Sequence, residues 1–217
     1  MKVSINQPAY LPWLGYFDKI ARADVFVYMD SVQFEKNSFI NRNQIKTPQG
    51  KMWLTIPVKA KGHISGSIGT TEIDETQQWR LKHLKSIEMN YRKAACFKER
   101  YPEIEKLIIN SESNLSEYCF QQLKFWLSKL SINTEIVKLS ELDIRSSKSD
   151  LILEMCRKLN ATRYISGING KSYLNEKEFL DNGICVEYQN FKTHPYKQLY
   201  NEFIPDLSVL DWWINEC

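Results

Sequence analysis

The chain has 217 residues, is 43% hydrophobic and 25% charged, and carries a formal net charge of +3. That length buries one substantial core, or one domain with an appendage. The charge is too small to argue for a nucleic-acid or membrane partner, and no apolar stretch approaches the ~20 residues that a membrane-spanning helix needs. No signal peptide is visible, because no apolar region follows Lys2.

The opening stretch organises the rest. Lys2 to Ile5 reads as a short buried strand through its β-branched Val3 and Ile5, and Asn6-Gln7-Pro8 ends it. Pro12 precedes a run with helical spacing, Trp13 to Ala23. A strand therefore feeds an aromatic loop and then a helix. Ligands of open α/β sheets bind outside the carboxyl ends of strands, so Gln7, Tyr10, Trp13 and Tyr16 are the first substrate-binding candidates. The same rings would equally serve to cover a core.

Asp24 to Asp30 reads as a second buried strand with Asp30 at its carboxyl end. Ser31 to Gln49 is polar and irregular, with Lys36 and Arg42 within it, and Trp53 to Val58 resumes as a strand. Residues 59–70 hold three glycines in a spacing that is no Walker loop; the segment reads as a surface loop or a flap over a site.

Three helices follow in succession. Trp79, His83, Ile87 and Tyr91 recur every four residues along one stripe. A second helix turns Phe97, Tyr101, Ile104 and Ile108 inward, with Pro102 expected to delay its start. The third opens on a capping pattern, Asn114 and Glu117, and carries Leu115, Cys119, Gln122, Trp126 and Leu130 on one face.

Strands are then expected over 134–139, 163–165 and 184–188, with helices from Ser149 to Asn160 and after Asn175. The aromatic tail from His194 to Cys217 packs back onto the body. The expected fold is α/β: a mostly parallel sheet flanked by helices, one domain over 1–217, with a helical cap or subdomain around 76–131. The five cysteines are scattered, with no CxxC, and read as reduced thiols of a cytoplasmic protein. No metal site is expected, since no Cys/His cluster exists. The chain also lacks GxGxxG and GxSxG, which argues against dinucleotide binding and a standard serine hydrolase.

In a parallel sheet, three polar segments gather on one edge: Asn6-Gln7-Pro8, Asp30 with its sequel, and Ser166-Gly-Ile-Asn-Gly170. Ser166 and Asn169 suit hydroxyls. Arg42 suits a phosphate bidentately and Lys36 as a point charge, unless both are merely solvated. His83, half-buried on its stripe, is either a general base or a satisfied core histidine.

Gln7-Pro-Ala-Tyr-Leu-Pro-Trp-Leu-Gly-Tyr16, Asp24 to Gln33, Asn41-Arg42, Trp53 to Pro57, Trp79 with Lys82-His83, Tyr91, Tyr164-Ile-Ser-Gly167 with Tyr173-Leu174, and Leu207 to Asp211 together resemble the WbqC-like protein family almost end to end. That family takes its name from a member encoded among bacterial O-antigen biosynthesis genes. The resemblance implies modification of a nucleotide-linked amino sugar for surface polysaccharide; the leading expectation for the chemistry is a transferase that places an acyl or aminoacyl group on the sugar amine, the donor being an acyl-CoA or an aminoacyl carrier, with a carrier protein as partner in the second case. His83 or Asp30 would be the catalytic base, Gln7, Tyr10, Trp13, Tyr16, Ser166, Asn169 and Tyr173 would hold the sugar, and Lys36 with Arg42 the diphosphate. Related sequences often carry His before Gln-Pro where this chain has Asn6, a departure that shifts the expected base to His83 or Asp30. A non-catalytic sugar-binding or assembly protein and a nucleotidyl-transferring enzyme are the alternatives.

Overall fold

The computed structural model describes residues 1–59, 66–144, 146, 148–200 and 202–217. Among them the elements are β1 (Lys2–Asn6), α1 (Leu14–Ala21), β2 (Val25–Tyr28), β3 (Arg42–Thr47), β4 (Gly50–Thr55), α2 (Trp79–Tyr91), α3 (Phe97–Ile109), α4 (Leu115–Lys129), β5 (Glu135–Lys138), α5 (Lys148–Lys158), β6 (Arg163–Ser166), α6 (Glu176–Asp181), β7 (Cys185–Tyr188) and α7 (Val209–Asn215). No helix among the described residues is long and apolar enough to cross a membrane.

The chain divides into two compact units. The first comprises Met1–Pro8, Gly15–Val32 and Leu127–Lys192. It holds an α/β fold around a five-stranded sheet in the order β5-β2-β1-β6-β7. Every pairing is parallel, with Val3 beside Val25 and Tyr164 in register. Side chains alternate across a strand. Val3, Ile5, Val25, Val27 and Tyr164 therefore share one face, where they pack with Ile152, Met155, Phe179 and Ile184. The other face carries Ser4, Phe26 and Ile165. There α1 lays Tyr16 edge-on against Phe26, centroids 5.9 Å apart. Gln189, just past β7, fastens the start of α1 by donating from Nε2 to the Gly15 carbonyl (2.8 Å) and to Asp18 (2.6 Å).

The second unit comprises Ala9–Leu14, Gln33–Trp126 and Thr193–Cys217. The expected stripe of α2 is realised, since Trp79, His83, Ile87 and Tyr91 are all buried. The cap of α4 also forms: Asn114 Oδ1 accepts the Glu117 N–H at 3.0 Å. Three expectations need correction. Ser31 to Gln49 is not wholly irregular, because Arg42–Thr47 pairs antiparallel with Gly50–Thr55 as a hairpin. Its inward positions include a buried amide, which is satisfied by donating to the Leu11 carbonyl at 2.6 Å (Asn43 Nδ2). Pro102 lies inside α3 rather than delaying it. Cys96 and Cys217 form a disulfide across 121 residues, where reduced thiols were expected throughout. Cys119 and Cys156 remain buried thiols, and Cys185 is exposed. Of the glycine loop, residues 60–65, with Gly62 and His63, lie outside the described residues.

Candidate functional site

In the first unit the parallel sheet brings the ends of β1, β2 and β6 to one edge. The chain leaves β1 toward β2 on one side and returns as β6 on the other. The β1/β6 boundary is thus the topological switch point, where open α/β sheets bind ligands. Gln7, Asp30 and Ser166–Gly170, singled out from sequence, follow those three strands.

The side chain that dominates this edge was not singled out. Lys19, on α1, is 4% exposed. Its ammonium donates to the Ile5 carbonyl at 2.8 Å and to Asn6 Oδ1, at the end of β1. Among the described residues no carboxylate is a partner of this amine, and desolvation alone lowers its pKa to about 7. Its sequence signal is a lysine set among Tyr16, Phe17 and Ile20 on the buried stripe of α1. On the same face as Asn6, Ser4 Oγ is buried without a hydrogen-bond partner. One turn before Lys19 on α1, the Tyr16 hydroxyl donates to the Gln7 carbonyl at 3.0 Å. Two helix side chains thus hold the strand-to-loop junction.

Asp30 is buried, and its two oxygens accept the Ser140 N–H (3.0 Å) and hydroxyl (2.6 Å). Ser166 is fully buried and donates to the Gly167 carbonyl at 3.0 Å. Neither nearby glycine has positive φ. Gly170 is demanded by packing, since a Cβ there would meet Ser166 Oγ at 2.0 Å. Gly167 is not: a Cβ there would meet nothing within 4 Å. The end of β6 therefore faces open space beside β1. Asn169 is exposed, its carbonyl accepting from Ser172 at 2.8 Å, and Tyr173 is exposed as well.

The remaining candidates belong to the second unit. Tyr10 and His83 are together, the phenol on Nδ1 at 2.8 Å, while Nε2 lies 3.1 Å from the Thr55 carbonyl. A carbonyl only accepts, so Nε2 carries the proton and Nδ1 accepts from Tyr10. Trp79 closes the cage edge-on at 5.1 Å from the imidazole, and burial lowers the His83 pKa to about 4. Trp13, Phe39 and Trp53 form a row with centroids 5.5 and 5.7 Å apart. Arg42 lies over Trp53 at 4.2 Å, and Lys36 is exposed.

A second buried network escaped the sequence. Asp211, fully buried, accepts from Tyr91 (2.6 Å), Tyr196 (2.7 Å) and Gln198 (2.8 Å). Desolvation raises its pKa against those hydrogen bonds. Lys46 donates to Gln198 Oε1 at 3.0 Å and to the Glu202 carbonyl. Every polar tip in this cluster is engaged, which suits it to pinning α7 and the tail rather than to chemistry. A groove of about 420 Å³, lined by Glu103, Lys106, Leu107, Asn110, Gln121 and Phe125, lies between α3 and α4 and contains none of the residues singled out. Among the described residues no three His, Cys, Asp or Glu side chains gather as metal ligands would.

An all-parallel five-stranded sheet flanked by helices defines an α/β protein. The chain belongs to the WbqC-like protein family, whose model matches residues 7–217. It is 36% identical over 216 residues to the uncharacterized protein Rv1507c of Mycobacterium tuberculosis (strain ATCC 25618 / H37Rv), a match covering 99% of this chain and 93% of that one. No solved structure matches the chain.

Proposed function

We propose that this protein is a transferase that places an acyl or aminoacyl group on the amine of a nucleotide-linked sugar for bacterial surface polysaccharide. The observation that carries this reading is the buried Lys19 amine without a carboxylate at the β1/β6 switch point, beside the open space at Gly167. A buried amine unpaired with a carboxylate is costly, and such groups concentrate where chemistry or ligand binding needs them. Polar groups suited to sugar hydroxyls, Gln7, Asn169 and Tyr173, follow β1 and β6.

Of the two bases that the sequence offers, Asp30 is the one we assign. His83 is neutral and its one lone pair holds the Tyr10 proton, whereas each Asp30 oxygen, after one bond to Ser140, keeps a lone pair. In the reaction the sugar amine attacks the thioester carbonyl of an acyl-CoA or acyl carrier. The C–N bond forms, Asp30 takes the amine proton, the C–S bond breaks, and the proton passes to the departing thiolate. The protein's part is orientation, proton transfer and support of the carbonyl oxygen.

The test is incubation with a panel of nucleotide-linked amino sugars and separate acyl-CoA and aminoacyl-carrier donors, read by mass spectrometry. The expected product gains the mass of one acyl or aminoacyl group, and Asp30→Asn slows its formation by about 10²-fold or more. No product with any donor would overturn the reading. A second reading, a non-catalytic sugar-binding protein of the same pathway, has one observation in its favour: Phe39 and Trp53 are 45% and 40% exposed in a row beside Arg42, as a sugar-stacking surface would be. Under it, sugars raise the melting temperature and no product forms.

A further inference from the structure

Asn6 and Lys19 define a donor that no residue assignment above uses. A lysine ammonium has only donors to offer, so Asn6 must turn Oδ1 toward Lys19. That fixes which end of the amide faces where: the two Nδ2 protons point away from Lys19, and they have no partner among the described residues. Ile5 O holds the ammonium from a second side at 2.8 Å, so the lysine cannot swing away without leaving a strand-end carbonyl unpaired. One step past the Ser4–Ile165 pair, the strands continue into Ile5-Asn6 and Ser166-Gly167. Parallel partners share a face, so the β1–β6 register, continued two positions past Ser4 and Ile165, directs Asn6 and Gly167 to the α1 face, and the space over Gly167 is open. An oriented pair of N–H donors at the rim of an open crevice, with a buried cation behind it, fits an acceptor oxygen that gathers negative charge.

We propose that the Asn6 side-chain amide donates to the acyl carbonyl oxygen as it becomes an oxyanion, and that Lys19 is the positioning residue which fixes the amide in that orientation. This rests on the acyl-transfer reading above and adds to it the residue that stabilises the transition state. Preorganised donors of this kind, lost singly, cost about 10²–10³-fold in turnover.

The test joins kinetics to a measurement that needs no turnover. Asn6→Asp keeps the shape and replaces the donors by an oxygen that repels an oxyanion; kcat should fall at least 10²-fold with KM nearly unchanged. Lys19→Met should lower kcat, and Lys19→Arg, which can still donate to Oδ1, should restore much of it. Independently, the Asn6 side-chain amide cross-peaks, identified by their loss in Asn6→Asp, should shift saturably on titration with acetate in the wild type and in Lys19→Arg, and should not in Lys19→Met. Acyl transfer with full kcat in Asn6→Asp would overturn the proposal and leave the transferase reading standing. Acetate shifts without acyl transfer on any donor would leave the oxygen site standing and sink the transferase reading, and with it the carbonyl assignment. Absence of any shift, equal shifts in Lys19→Met, or saturation by inorganic phosphate at far lower concentration than acetate would overturn the proposal.

Discussion

Tyr10 gives its phenol proton to His83 Nδ1 across 2.8 Å, and the opposite nitrogen of the same ring gives its own proton to the Thr55 carbonyl. The imidazole is therefore held as one neutral tautomer inside an aromatic cage. Removing the phenol in Tyr10→Phe leaves Nδ1 a buried acceptor without a donor. The expected cost is about 1–3 kcal/mol, measured by urea unfolding at neutral pH.

The same burial sets a pH dependence. The folded His83 pKa is about 4, below its usual 6.5. The unfolded chain therefore binds a proton between those values that the folded chain does not. Stability from this group is fully present above about pH 6.5 and is lost as pH falls through that window, by about 3 kcal/mol at pH 4. Carboxylates change stability over the same range, so the informative quantity is the difference from His83→Gln. The stability gap between wild type and variant should move by about that amount between pH 7 and pH 4. A gap independent of pH would show that His83 titrates normally in the fold.

What was legible in the sequence, and what was not, follows from the range of the interactions involved. Val3, Ile5, Val25 and Val27 announce buried strands by local pattern, and Trp79, His83, Ile87 and Tyr91 announce a helix by spacing. The polar segments after β1, β2 and β6 were placed on one edge because parallel order follows from strand–helix alternation. By contrast β3 has Ile45 as its only strongly apolar residue, and Asn43 and Lys46 are buried because distant partners satisfy them. Its one local signal is the turn at Pro48-Gln49-Gly50, with Gly50 at φ 107°. Lys19 sits among Tyr16, Phe17 and Ile20 on the buried stripe of α1, but the strand-end carbonyl that receives its amine is fourteen positions away in the sequence. The Cys96–Cys217 disulfide and the Asp211 network join residues more than a hundred positions apart, beyond any spacing rule.

The two glycines after β6 should answer substitution differently. Gly170→Ala puts a methyl 2.0 Å from Ser166 Oγ and 3.0 Å from a Leu174 methyl, and both neighbours are confined. The expected loss is about 1–3 kcal/mol by thermal or chemical unfolding. Gly167→Ala meets nothing and has an ordinary negative φ of −67°, so stability should stay within about 0.5 kcal/mol of wild type. Its methyl occupies the open crevice, so sugar-induced stabilisation and turnover should fall while the fold survives. Equal destabilisation of the two variants would show that Gly167 is a structural residue.

Asp211→Ala should be among the most damaging single changes in the second unit. It leaves two phenol protons without their acceptor in the interior, at an expected cost of about 3–5 kcal/mol. Asp211→Asn keeps one acceptor oxygen and should cost less. Melting temperatures of the two variants at neutral pH give the order directly, and the reverse order would mean that the network is held by packing alone.

Lys19 supplies the opposite pH signature to an ordinary surface lysine. Its folded pKa of about 7 lies well below the usual 10.5. Between those values the unfolded chain holds a proton that the folded chain has released. The penalty of burying the charge is fully present below about pH 7 and is relieved as pH rises toward 10.5. Buried tyrosines act in the other direction above about pH 10, because burial raises the pKa of Tyr91 and Tyr164. The clean window is therefore pH 7 to 9.5, over which wild type should gain about 3 kcal/mol relative to Lys19→Met. The variant keeps the buried stem and lacks the titrating amine, so subtracting the two curves removes every other group that the pair shares. A difference flat across that window would mean that the folded amine titrates no earlier than an ordinary lysine.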